Sequence, residues 1–295
     1  MALIPFDDRD GSIWINGEMI PWREATSHTL SHGLHYASTV FEGERVYSGV
    51  IFKGREHTER LRRSCEMLDF ELPLSDDELD AAKMAVVEAN GIVDGYVRAF
   101  AWRGSEMMAI SAQHTTTHVA IAAWEWPSYF DPETKMKGIT LDIADWKRPS
   151  PESAPVHAKA AGLYMICTLS KHAAEKKGFQ DALMLDYRGY LAEATGANVF
   201  FVDKEGTIHT PIADCFLDGI TRRTVIALAA SLQMKVVQRH LTLDDLSEMT
   251  ECFLTGTAAE VTPVSQIGDA SFTPGDISRQ LVDGYENLVR GRIAL

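Results

Sequence analysis

Lys159 stands in the run HAKAAGLYM, a lysine among small residues with Gly162 and Tyr164 close behind. Lysine is rarely buried, so one reading is an exposed amine just ahead of a helix. The other is a partly buried amine suited to Schiff-base chemistry, its small neighbours leaving room for a flat cofactor ring. Glu193, in YLAEATGANVFFV, is an acid in an otherwise weakly polar, strand-like run. An unpaired carboxylate is costly to bury there. Glu193 therefore either faces solvent from a strand or serves as the acid that keeps a pyridine-type cofactor protonated at nitrogen.

Two turns could hold an anion. In LDGITRRTVIALAA, Gly219 permits a turn and a helix starts near Thr221, which puts Arg222 and Arg223 in its first turn. Positive charge opposes the helix dipole at that end. A bound phosphate would remove the conflict, using free backbone N–H groups and the Thr221 hydroxyl. The alternative is two solvated arginines. TGTAAEVTP (255–263) is a second glycine-containing turn with hydroxyls and free amides. Such turns bind carboxylate or phosphate, or merely connect a strand to a helix.

Other chemistries lose ground. No GxxxxGK[ST], strand-to-helix GxGxxG or GxSxG run is present, which speaks against P-loop enzymes, Rossmann dehydrogenases and α/β-hydrolases. His28, His32 and His35 in SHTLSHGLHY could share a helical face as metal ligands do. They equally fit capping, packing and ring hydrogen bonds. No cysteine or carboxylate lies at a suggestive distance downstream, and no metal is expected.

Around these residues the pattern alternates. Asn16-Gly17 between apolar residues predicts a hairpin over 13–22. A helix begins at Glu56, with Leu61, Cys65 and Leu68 on one face. A second spans about 76–90, with acids at its start. Strands follow at 95–103 and 117–126. The polar segment 127–137, with two prolines, is the expected interdomain linker. It divides a small N-terminal α/β domain (1–126) from a large C-terminal cofactor-binding domain (138–295). In the latter, strands are expected at 139–146, 181–186 and 197–203, a helix at 221–233, and a strand at 252–254. Lys159 leads into a helix that closes at Gly178. The irregular alternation indicates α/β or α+β with mixed sheets.

The chain of 295 residues suits one large domain or two ordinary ones, with 45% hydrophobic and 24% charged residues. Its net charge of −14 argues against nucleic acid. Arginines gather locally instead, at 60–63, at 98 and 103, and at 222–223, as a small bound anion would favour. Cys65, Cys167, Cys215 and Cys252 form no CxxC pair and read as reduced thiols. The N-terminal MALIPFDDRD has acids where a signal peptide needs positive charge. No apolar run approaches the ~18 residues of a membrane span. A soluble, cytoplasmic chain with no membrane partner is expected.

In combination the motifs are specific. HGLHYASTVFEGERVY (32–47), REHTERL (55–61), YVRAFAWRG (96–104), HAKAAGLY (157–164), LAEATGANVFFV (191–202), LDGITRRTV (217–225) and FLTGTAAEVTPV (253–264) occur in this order. Over essentially its whole length the chain resembles the branched-chain amino acid aminotransferases, members of the fold-type-IV group of pyridoxal-phosphate enzymes. The resemblance implies two mixed α/β domains with the cofactor between them. It implies Lys159 as Schiff-base lysine and proton shuttle, and Glu193 as pyridinium partner. Arg60 would bind the cofactor phosphate, with Gly219, Ile220, Thr221, Gly256 and Thr257. Tyr164 would lie near the phenolic oxygen, and Leu217 against the ring.

For the substrate, the resemblance implies Tyr96 and the amides of Thr257 and Ala258 at the α-carboxylate. Phe41, Trp126, Tyr129 and Tyr164 would wall the side-chain pocket. Arg98 would meet a distal carboxylate, or else brace the RGSEMMAIS loop. Tyr36, Met108 and Ile110 would reach a neighbouring subunit's site in a homodimer or an assembly of dimers. Where many members have proline after the YxR arginine and then a glycine-rich loop, this chain has Ala99 and RGSEMMAIS (103–111). The implied reaction moves the amino group of leucine, isoleucine or valine to 2-oxoglutarate. D-amino acid and R-amine transaminases and aminodeoxychorismate lyases share the fold and are the alternatives.

Overall fold

The computed structural model describes residues 4–126 and 135–295. They form two compact units. The first takes the described residues up to 126 together with Ala158–Gly162, and the second takes 135–157 and 163–295. The expected division put everything from 138 onward in one domain. Ala158–Gly162 instead packs with the first unit, because Ala160 bridges Val40 and the Lys159 carbonyl accepts from the Phe41 amide at 3.1 Å. Most of the expected linker, including Tyr129, lies outside the described residues.

The first unit is built on a seven-stranded sheet. Its order is Glu18–Pro21, Ser12–Ile15, Thr117–Glu125, Gly95–Arg103, Glu44–Tyr47 and Val50–Ile51, with Thr39–Phe41 also on Gly95–Arg103. The predicted hairpin is present. Asn16 and Gly17 have φ of 50° and 102°, positive at both central positions as a type I′ turn requires. Helices Gly54–Met67 and Asp76–Ala89 pack on the sheet. The second starts with a capping box between Ser75 and Glu78.

Thr39–Tyr47 decides which groups share a face. Val40, Glu42, Glu44 and Val46 alternate with Phe41, Gly43 and Arg45. Register pairs Phe41 with Phe100 and Arg45 with Tyr96, so these side chains lie on one face with Arg98. Glu42 and Glu44 lie on the other, where they meet Arg60 and Lys83 of the two helices.

The second unit holds a nine-stranded mixed sheet. Leu191–Ala194 pairs with both Asp181–Leu185 and Asn198–Asp203. That double pairing closes a ring that continues through Ile139–Ile143, Glu260–Ile267 and Met249–Gly256. Leu141, Leu183, Ala194, Val199, Phe201, Leu254 and Val264 belong to one buried cluster. By alternation their neighbours Glu193, Asn198 and Thr255 point the other way. Helices Ile220–Ser231 and Asp276–Val289 pack on Met249–Gly256 and Glu260–Ile267.

Candidate active site

Lys159 does not sit free before a helix. Its amide donates to Ser64 Oγ at 3.0 Å and its carbonyl accepts from Phe41, so the backbone is pinned on both sides. Ala158 and Ala160 are buried, and Lys159 between them is half-buried. Its Nζ lies 4.9 Å from the centroid of the Phe41 ring. The Arg98 guanidinium lies 4.7 Å from the same ring and donates to Tyr96 Oη at 3.3 Å. Tyr96 in turn packs on Trp126, with centroids 5.3 Å apart. The first unit thus gathers Lys159, Phe41, Tyr96, Arg98 and Trp126. Arg98 Nε is buried and has no hydrogen-bond partner among the described residues.

Among the described residues Arg98 makes no hydrogen bond to the 103–111 loop. Arg103 Nη1 donates to Ala112 O, just beyond that loop, at 2.7 Å. His32 adds a bond from its ring Nε2 to Ala109 O at 2.9 Å. Its other nitrogen meets Ser38 Oγ, while His28 accepts from Leu30 N and His35 bonds Thr29 O. The three rings are turned to protein atoms rather than to a shared point. Tyr36 stacks on His32 and is exposed, as are Met108 and Ile110.

Arg60 makes a buried two-pronged ion pair with Glu42, at 2.7 Å and 2.8 Å. His57 Nδ1 meets the same carboxylate at 2.6 Å. Burial pushes the Glu42 carboxyl up. The Arg60 charge and hydrogen bonds, with His57, outweigh burial and hold the carboxyl well below the usual carboxylate range. Glu42 lies inside FEGER, but nothing local in the sequence marks its role. Its partners are 15 and 18 residues away, on a helix.

In the second unit Glu193 is flanked on both sides. Arg148 Nε lies 3.4 Å from Oε1, and Asn198 Nδ2 donates to Oε2 at 3.3 Å. Arg148 is buried, and its Nη1 also reaches Leu163 O and Cys167 Sγ. Burial pushes the Cys167 thiol up to about 11, which keeps it neutral beside that charge. Glu193 is therefore no solvent-facing strand residue. Tyr164 is half-buried at the start of helix Met165–Lys176.

The arginines after Gly219 are occupied internally. Arg222 donates to Asp218 Oδ1 at 2.6 Å, and to Pro211 O and Gln238 Oε1 at 2.9 Å each. Arg223 donates to Asp218 O at 2.9 Å. Asp218 thus supplies the negative charge that the helix start needs, and no external anion is required to explain two arginines there. The N-terminus itself remains a donor site. Helix Ile220–Ser231 begins after Gly219 with no side-chain cap, and Ile220 and Thr221 are buried. Leu217 is half-buried in the turn just before it. TGTAAE is a strand-to-strand hairpin, not a strand-to-helix connection, with Gly256 paired to Glu260. Thr257 is half-buried at its tip and Ala258 exposed.

Comparison with known proteins places the chain in a family. The family model described as amino-transferase class IV matches residues 39–267. The chain belongs to the class IV aminotransferases. A Rickettsia felis protein named "probable branched-chain-amino-acid aminotransferase" is 42% identical, over 98% of this chain and all of that one. A Pseudomonas aeruginosa branched-chain-amino-acid aminotransferase is 38% identical, over 97% of this chain and 95% of its own. A solved T.th. branched-chain amino acid aminotransferase with pyridoxamine 5'-phosphate superposes with a TM-score of 0.93 at 38% identity, covering 97% of this chain and 96% of that one.

The residues of this class IV aminotransferase fit a phosphate-bearing pyridine. Thr255 Oγ1 is buried and lacks a hydrogen-bond partner among the described residues. It is paired by register with Asn198, which is paired with Glu193. Within the second unit, an acid and an uncapped helix start are groups that suit a ring nitrogen and a phosphate. The first unit, taken by itself, offers a half-buried lysine amine.

Proposed function

We propose that this chain is a branched-chain-amino-acid aminotransferase, moving the amino group of leucine, isoleucine or valine to 2-oxoglutarate with pyridoxal phosphate as cofactor. The observation that carries the reading is the meeting of Lys159 and Arg98 at the Phe41 ring. A reactive amine, an apolar wall and a guanidinium in one place suit an aliphatic side chain in one half-reaction and a second carboxylate in the other.

When bound, pyridoxal phosphate supplies the electron sink that makes an α-proton removable. Lys159 would hold the cofactor, and its amine would serve as the base that moves the proton at the substrate's α-carbon. Glu193 keeps the ring nitrogen protonated, and Leu217 and Tyr164 hold the ring. Arg60, fixed by Glu42, binds the phosphate with the Gly219–Thr221 turn, Gly256 and Thr257. Tyr96 and the amides of Thr257 and Ala258 orient the substrate carboxylate. Phe41 and Trp126 exclude water from the side chain. Tyr36 and Ile110 serve the pocket of a second subunit in a homodimer. The reading includes the cytoplasm as the place of work. No helix among the described residues is long and apolar enough to cross a membrane.

The test is the ultraviolet–visible spectrum of purified protein titrated with L-leucine, D-alanine and a chiral primary amine. Conversion of the cofactor band by L-leucine alone is expected. Conversion by D-alanine or the amine in preference to L-leucine would replace this reading with that of a D-amino acid or R-amine transaminase.

A further inference from the structure

Asn198 is a buried side chain that touches three parts of the second unit at once. Its Nδ2 donates to Leu217 O at 3.0 Å and to Glu193 Oε2 at 3.3 Å. Its Oδ1 accepts from Gly219 N at 3.2 Å. The amide therefore pairs with the backbone of 217–219 as a neighbouring strand would, one donor and one acceptor two residues apart. Strand register sets Asn198 directly opposite Glu193 on one side and Thr255 on the other. The turn fits closely: a β-carbon added at Gly219 would lie 2.2 Å from Asn198 Oδ1.

We propose that Asn198 is a positioning residue that fixes the spacing between the Glu193 carboxylate and the 217–221 turn. The inference rests on the functional reading above, in which Glu193 serves the ring nitrogen and the turn serves the phosphate. A rigid cofactor carries both groups at a set distance, so a protein that holds both must hold them in one frame. Strand pairing fixes Glu193, but among the described residues the turn has no strand partner. The Asn198 amide supplies that link. Aspartate at this position keeps the shape and the bond from Gly219 N. It turns an oxygen, in place of the amide nitrogen, toward the Leu217 carbonyl and the Glu193 carboxylate, where like charges repel.

The experiment uses full-length apoprotein and two equilibrium constants, neither of which needs turnover. Pyridoxal phosphate affinity is read by absorbance titration, and inorganic phosphate affinity by competition. Glu193→Gln is expected to weaken pyridoxal phosphate and leave phosphate within twofold of wild type. Asn198→Ala and Asn198→Asp are expected to weaken both, pyridoxal phosphate by about tenfold or more, as loss of a buried hydrogen-bond partner would give. Asn198→Asp should be the worse of the two. It is nearly isosteric, and decides the matter alone if the alanine variant does not fold. Asn198 variants that lower the thermal midpoint of the apoprotein but leave both affinities within twofold would show a purely structural side chain and overturn the proposal. Wild-type protein that takes up no pyridoxal phosphate would instead sink the functional reading.

Discussion

The hydroxyl of Tyr96 occupies the place where an alanine at position 43 would put its side chain: a β-carbon added to Gly43 would lie 1.8 Å from Tyr96 Oη and 2.7 Å from Cζ. Gly43 is buried between Glu42 and Glu44, on the same strand face as Phe41. Its lack of a side chain is what lets Tyr96 lie across the strand within reach of Arg98. Gly43→Ala is predicted to displace the Tyr96 ring and to cost about 1–3 kcal/mol of stability, as overpacking does. The KM for amino acid substrates should rise about tenfold or more while pyridoxal phosphate affinity stays near wild type. Steady-state kinetics with leucine, beside a cofactor titration, check it. An unchanged KM would mean that Tyr96 does not orient the substrate.

Lys159 is predicted to carry the cofactor as an imine. Among the described residues of the first unit it is the lysine whose amine lies over the Phe41 ring. Borohydride reduction followed by peptide mass mapping should find the pyridoxyl group on the peptide containing HAKAAG. A label on another lysine of cofactor-saturated protein would overturn the assignment.

Glu42 gives a prediction on acid stability. Its folded-state carboxyl is held below the ordinary range by Arg60 and His57, against the opposing push of burial. A depressed carboxyl stabilises the folded state at pH values above its unfolded pKa of about 4.3. It loses that contribution as pH falls toward the folded value. Glu42→Gln should therefore destabilise the protein by about 3 kcal/mol at neutral pH, the scale for breaking a buried ion pair. The gap to wild type should stay level above about pH 5 and narrow below it. Urea denaturation at a series of pH values measures this. A gap that widens in acid would contradict the ionised Glu42–Arg60 pair.

The sequence made local features legible and left distant partnerships hidden. Asn16-Gly17 announced its hairpin because the turn type demands positive φ at both residues. Asp76–Ala89 is legible from the acids in its first turn. Helix Asp276–Val289 is hidden in the sequence. Gly284 interrupts its pattern, and that glycine is there for packing, with Leu228 3.2 Å from where its β-carbon would be. Arg222 and Arg223 suggested an anion because their neutralising partner is a matter of side-chain direction, and Asp218 turns out to face them. Glu42 and Asn198 stand within recognisable motifs, yet their roles depend on contacts with a helix and a turn many residues away. The strands Ile208–Thr210 and Val236–Gln238 are three residues each, too short for a period to register.

Arg98 should discriminate between the two substrates of the cycle. One pocket must accept an aliphatic side chain in one half-reaction and a second carboxylate in the other. Phe41 and Trp126 suit the first, since burying an extra methylene gives roughly 0.8 kcal/mol. They offer nothing to a carboxylate, whose desolvation is costly. The Arg98 guanidinium lies over Phe41 beside the Tyr96 hydroxyl, and its buried Nε lacks a partner among the described residues. Arg103 donates to Ala112 O just beyond the following loop, whereas the hydrogen bond of Arg98 goes to Tyr96 beside the Phe41 ring. Arg98→Met keeps the apolar stem and deletes the charge. It should impair the half-reactions with glutamate and 2-oxoglutarate at least tenfold more than those with leucine, because losing a buried charged pair costs about 2 kcal/mol or more. Single-turnover kinetics, followed by cofactor absorbance with each substrate separately, decide the matter. Equal losses with leucine and glutamate would mean that Arg98 supports the pocket without reading the second carboxylate.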